Sequence, residues 1–137
     1  MVDCIFCKIV KGEIPSHKVY EDDATLAFLD INPISDGHTL VIPKQHFENL
    51  LDTSEEDVKA VAVSVKKIVK AAKEALNCDG INILQANFAA SGQSVFHYHV
   101  HIVPRKEGDG LHLWPPTRHI GHNGKEIAGK IAHHIKS

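Results

Sequence analysis

Residues 92–104 read GQSVFHYHVHIVP, with His97, His99 and His101 at alternate positions. Such alternation belongs to a strand, where successive side chains point to opposite faces. The three imidazoles then share one face, and Tyr98, Val100 and Ile102 share the other. Same-face neighbours along a strand lie ~6–7 Å apart, so three in a row span a phosphate and its two flanking groups. The segment is expected to run as a strand from Ser94 to Pro104.

That row suits phosphoryl chemistry. Imidazole titrates near pH ~6.5, so at neutral pH one ring can attack while a neighbour donates a proton to a phosphate oxygen. A histidine nucleophile divides one hard displacement into two easier ones. Gly92, Gln93 and Ser94 add backbone N–H groups and a hydroxyl for the equatorial oxygens. Two blander readings stand beside this one: a polar strand face, and a metal-binding H-x-H pair. A serine hydrolase is set aside, because GQSVF lacks the last glycine of G-x-S-x-G.

Outward from this strand, the pattern is α+β in a single domain, residues 1–137. Cys4–Lys11 reads as a short helix or turn. His17–Glu21, Thr25–Asp30, His38–Pro43 and Ile81–Leu84 read as strands, with turns at Asn32-Pro33, Asp36-Gly37 and Asp79-Gly80. Val58, Val61, Val65, Ile68, Val69, Ala72 and Leu76 follow the 3.6-residue period of one long helix. Thr53 or Ser54 caps it, with Thr53 and Glu56 fitting a capping box. Lys125–Ile135 reads as a short final helix. Strands, a long helix and further strands imply an antiparallel sheet.

The 137 residues include 15 basic and 17 acidic ones. That balance argues against a nonspecific nucleic-acid binder. No apolar run reaches membrane-spanning length, and MVDCIFCKIV carries no leader-like apolar stretch. Cytoplasmic residence is the expectation. Histidine is in excess, at 11 residues; His112, His119, His122, His133 and His134 have no motif support and read as surface residues. Cys78 reads as a buried or partly buried free thiol. Cys4-x-x-Cys7 is a redox pair, half of a zinc site, or a coincidence of apolar residues. The βαβ setting of a redox motif is missing, and zinc needs two further ligands.

The run HYHVHIV resembles the H-φ-H-φ-H-φ-φ signature of the histidine triad (HIT) family. The resemblance extends to CIFC at 4–7, AFLDINP at 27–33, GHTLVIPKQH at 37–46 and GQSVFH at 92–97, in the family order. Gln93-Ser94 and Trp114-Pro115-Pro116 look most like its Hint branch of purine nucleoside phosphoramidases. Two stretches depart from the pattern. Phe88-Ala89 stands where relatives often have Gly and an acidic residue, and the tail from Gly108 to His119 matches loosely.

The resemblance implies a HIT-like fold and the following roles. His99 becomes nucleotidylated, His101 and Ser94 contact the phosphate, and His38 lies beside the triad. Asp30 binds ribose hydroxyls. Ile5, Phe6, Ile9, Phe28, Leu29 and Ile31 line the purine pocket, with Asn87 and Gln93 as polar contacts and Trp114 at the active site. Cys4, Cys7, His46 and His97 hold a structural zinc, as in some bacterial-type relatives; no organic cofactor is expected. The implied protein is a homodimer that hydrolyses nucleoside 5′-phosphoramidates through a nucleotidyl-histidine. Its rivals are a dinucleoside polyphosphate hydrolase or nucleotidyltransferase using the same nucleophile, and a zinc-stabilised nucleotide-binding scaffold with little turnover.

Overall fold

A computed structural model describes residues 3–116 and 123–136. Five antiparallel strands form one sheet: β1 (Lys18–Glu21), β2 (Thr25–Leu29), β3 (Thr39–Pro43), β4 (Gly80–Leu84) and β5 (Val100–Arg105), in the order β1-β2-β3-β5-β4. Three helices complete the chain: α1 (Ile5–Val10), α2 (Glu55–Leu76) and α3 (Gly124–His133). The α+β architecture expected from the sequence is therefore present, long helix and short last helix included. His119 and His122 lie outside the described residues; His112, His133 and His134 are exposed.

The sheet has two apolar faces because its central strands alternate. Ala27, Val41, Tyr98, Val100 and Ile102 pack against Val61, Val65 and Ile68 of α2. Leu26, Phe28, Leu40 and Ile42 face the other way and pack against Cys4 and Phe6 at α1. α1 has six residues, too few to persist alone. This second core holds it in place.

The last strand is shorter than the sequence implies. Pairing of β3 with β5 runs Thr39↔Ile102, Leu40↔His101 and Val41↔Val100 and then stops. Pro43 at the end of β3 has no N–H to extend the ladder. Residues 94–99 instead follow the loop after β3, with Tyr98 N–H donating to Phe47 O at 2.7 Å. The in–out alternation survives the loss of pairing, since Tyr98 still packs with Val100 and Ile102.

The α2 cap also differs. Ser54 is the N-cap, its hydroxyl accepting from Asp57 N–H at 3.1 Å and donating to Asp57 Oδ2 at 2.8 Å. Thr53, expected to start a capping box with Glu56, is buried and donates to Asn49 O at 2.6 Å. Both pairs carry an acidic side chain three residues on, so sequence spacing alone does not separate them.

Asp22 ties the β1–β2 turn to α2. Its Oδ1 accepts from Ala24 N–H, Thr25 N–H and the Thr25 hydroxyl, and its Oδ2 from the Tyr20 hydroxyl. The Thr25 hydroxyl in turn meets the buried Ser64 hydroxyl of α2 at 2.7 Å. Burial raises the Asp22 carboxyl, but these hydrogen bonds outweigh it and hold it down to about 2. A depressed carboxyl stabilises the fold above its unfolded value of ~4 and loses that contribution as pH falls. Asp22→Ala should cost about 1–3 kcal/mol in urea unfolding at neutral pH. The difference from wild type should shrink as pH falls from ~4 through about 2. A change within ~0.5 kcal/mol would mean that Asp22 sits there without consequence.

Candidate active site and metal centre

A cleft of about 330 Å³ opens on the α1 face of the sheet. That volume falls within the range of small-molecule sites. Ile5, Phe6 and Ile9 of α1, Phe28 and Leu29 of β2, and Ile31 line it together with Asp30, Ser94, His99 and His101. The apolar end and the triad end thus form one cavity. Ile14, Pro15, Ser16, Asn32, Leu40 and Val95 line it too and were not among the sequence candidates. Ile14, Pro15, Ser16 and Asn32 come from loops, where no periodicity marks a face. Asn32 stands in the Asn32-Pro33 turn that the sequence marks, but a turn signal does not say what its side chains face.

His99 is held by its neighbour. Its Nδ1 donates to the His97 backbone carbonyl at 2.7 Å, so in the neutral ring Nε2 carries the lone pair. Burial lowers its pKa, against the raising effects of that carbonyl and of Asp30. The ring is therefore neutral at pH 7. Phe6 closes on it edge-on, with ring centroids 5.2 Å apart.

A second chain of bonds fixes His101. Ile34 N–H donates to His38 Nδ1 at 3.2 Å. With its Nδ1 accepting, a neutral His38 carries its proton on Nε2, which lies 2.9 Å from His101 Nδ1. His101 Nδ1 is then an acceptor, and its own proton sits on Nε2. Burial, then His99 and His38, push the His101 pKa down to about 4. Asp30 Oδ2 lies 3.6 Å from His38 Nε2, and Asp30 Oδ1 accepts from Asn32 N–H at 2.8 Å. Asp30 is half-buried at the cleft wall.

Four sequence candidates do not line this cleft: buried His38, which reaches it only through His101, and Gln93, Asn87 and Trp114. Gln93 is buried and clamps loops: Nε2 donates to Glu48 O and Val95 O, and Oε1 accepts from Phe88 N–H. Asn87 Oδ1 accepts from Leu50 N–H, and Asn87 exchanges hydrogen bonds with Gln85. Trp114 is 86% exposed, away from its own chain's cleft. Phe88 has φ 72° and ψ 155°, backbone that favours glycine.

Behind the triad, Cys4, Cys7, His46 and His97 bring four donor atoms within 4.8 Å of one another. His97 Nε2 donates to Pro43 O at 2.8 Å, so its Nδ1 presents a lone pair. That atom lies 3.5 Å from Cys4 Sγ, 3.6 Å from Cys7 Sγ and 3.2 Å from His46 Nδ1; Cys7 Sγ lies 3.4 Å from His46 Nδ1. Tetrahedral zinc, with Zn–S ~2.3 Å and Zn–N ~2.0–2.1 Å, needs S···N edges of about 3.6 Å and an N···N edge of about 3.4 Å. The four residues fit, and the cluster could bind such a metal. Asp30, His38 and His101 form another close group. It fits poorly, because a metal on His38 Nε2 would force the ring proton onto Nδ1, against Ile34 N–H.

Residues 11–108 match the HIT domain model. Adenosine 5′-monophosphoramidase hnt1 of Schizosaccharomyces pombe is 43% identical over 136 residues, covering 95% of this chain and 99% of its own. A crystal structure of a HIT family member from Bacillus subtilis superposes with a TM-score of 0.90 at 44% identity, covering 99% of both chains. A zinc-bound histidine triad family protein from Mycobacterium smegmatis superposes with a TM-score of 0.78 at 44% identity, covering 85% of this chain and 84% of that one. The chain belongs to the histidine triad family, and its relatives are of the Hint-like kind. Among the described residues, no helix is long and apolar enough to cross a membrane.

The bond chain makes a spectroscopic prediction. His101 should appear as the Nε2–H tautomer in ¹H–¹⁵N correlation spectra and stay neutral until pH nears about 4. A midpoint near ~6.5, or the Nδ1–H tautomer, would contradict the order of donors given above.

Proposed function

We propose that this protein hydrolyses purine nucleoside 5′-phosphoramidates to a nucleoside monophosphate and an amine, with His99 as nucleophile. The observation that carries this reading is the His99 Nδ1–His97 carbonyl bond, which leaves Nε2 unprotonated at the cleft. The name of the S. pombe relative supports the substrate class.

In this mechanism the base lies against Phe6, Ile9 and Phe28, and Asp30 accepts from the ribose hydroxyls. His99 Nε2 attacks the α-phosphorus, the P–N bond to the amine breaks in line, and a nucleotidyl-histidine forms. An amide anion is a very poor leaving group, so a proton must reach the nitrogen as the bond breaks. Ser94, which lines the cleft beside His99, or else His101 or water would carry it. His101 Nε2–H meanwhile donates to a phosphoryl oxygen. Water then attacks from the vacated side and releases the monophosphate. Two inversions give retention at phosphorus.

Cys4, Cys7, His46 and His97 would hold zinc, which supplies a structural crosslink between α1, the loop after β3 and the triad segment. His97 is then unable to pass protons, which leaves that work to the residues named above.

His99→Ala should lose nearly all turnover of an adenosine phosphoramidate and keep AMP binding. His101→Ala should lose less, on the order of 10²–10³-fold, as when one oxyanion donor is removed. A panel setting the phosphoramidate against diadenosine polyphosphates separates the reading from its rivals. Preference for the polyphosphate would transfer the same nucleophile to phosphoanhydrides, and binding without turnover would favour the scaffold.

We also propose a two-fold homodimer. β4 is a sheet edge with Ile83 exposed, and Val69 and Ile81 are half-buried beside it on the α2 side. An open apolar edge invites pairing with a second copy. The exposed Trp114 would regain burial at such a seam. Light scattering at micromolar concentration should give twice the chain mass, and Ile83→Lys should weaken the dimer. A wild-type monomer would refute the assembly.

A further inference from the structure

The Cys4–Cys7 pair is placed for a chemistry beyond ligation. Cys4 is the N-cap of α1 in extended backbone, and its sulfur accepts from Cys7 N–H at 3.5 Å. Both sulfurs therefore lie at one end of one short helix. Cys4 is buried and Cys7 half-buried, so an oxidant reaches Cys7 first. The residues between them are part of the cleft: Ile5 and Phe6 line it, and Phe6 packs edge-on against both His97 and His99. Cys78, the third thiol, is 2% exposed, beside Ala72 of α2.

We propose that Cys4 and Cys7 are a site of reversible oxidation by small hydroperoxides, at which an intramolecular disulfide replaces the metal and weakens nucleotide binding. The effect on the nucleotide rests on the reading of the cleft given above. The Cys7 thiolate attacks the terminal oxygen of the hydroperoxide, the O–O bond breaks, hydroxide departs (an alkoxide where the hydroperoxide is organic), and Cys7 becomes a sulfenic acid. The Cys4 thiolate then attacks the Cys7 sulfur, the S–O bond breaks, and a second hydroxide leaves. The two sulfurs give up two electrons, the peroxide accepts them, and the two departing anions take two protons from solvent. Tetrahedral zinc would hold the sulfurs about 3.8 Å apart, whereas a disulfide draws them to ~2.05 Å. The first turn of α1 must shift to allow this, and Phe6 shifts with it. His46 and His97 alone cannot retain the ion.

The test uses the full-length zinc-loaded protein, wild type and Cys78→Ala, titrated with hydrogen peroxide. Zinc release is followed with a chromogenic chelator, disulfide by intact mass and peptide mapping, and AMP affinity by calorimetry. In both proteins, zinc release should track a Cys4–Cys7 disulfide one for one. AMP affinity should fall at least about tenfold and return with thiol reductant plus zinc. Zinc retained with both thiols free, oxidation at Cys78 in their place, irreversible sulfinic acid, or unchanged AMP affinity after the disulfide forms would each overturn it. So would protein that takes up no zinc. If AMP binds neither form, the nucleotide reading falls, and zinc release and mapping still decide the oxidation.

Discussion

His97 is fully buried, and three of its groups are engaged. Its Nε2–H is taken by Pro43 O, its Nδ1 faces two sulfurs and a second imidazole, and its carbonyl takes the His99 proton. Burial is the main cause that lowers its pKa, to about 4, which keeps the ring neutral and its Nδ1 lone pair free. If this residue turned, the donor cluster would lose an edge and His99 would lose the acceptor that sets its tautomer. Unpaired polar groups this deep are costly, and the cost restricts the residue to one arrangement.

The rest of the molecule supports that residue from two sides. α2 packs on one face of the sheet, against Tyr98, Val100 and Ile102, and so fixes the strand that carries His101. α1 packs on the other face and supplies the apolar wall of the cleft. One sheet thus separates a purely structural core from a core that doubles as a binding site. The residues closest to the chemistry are held by carbonyl and imidazole partners that are themselves buried.

Much of this was legible in the sequence for a physical reason. Alternation of imidazole and apolar side chains has one structural solution, and it persisted even where strand pairing failed at His97–His99. The α2 stripe was legible too, although the chain turns out of the helix at left-handed Asn77 and Gly80 already belongs to β4. The joining of Cys4 and Cys7 with His46 and His97 came from the family resemblance and not from spacing. Loop-borne features were not. Ser16 and Asn32 reach the cleft from turns, with no period to reveal them. Gln93 and Asn87 carry polar groups that suit a ligand as well as a backbone, and only the fold shows the backbone taking them. Thr53 and Ser54 compete for one cap, and burial of Thr53 decides it.

The central claim is that His99 Nε2 forms a bond to phosphorus. Rapid acid-free denaturing quench during turnover of an adenosine phosphoramidate, followed by peptide mass mapping, tests it most directly, because a phosphorus–imidazole bond survives at alkaline pH. The account predicts an adenylyl group on His99 at early times, absent when His99 is alanine. No adduct at any residue, together with inversion at a chiral phosphorus, would mean direct attack by water and would contradict it.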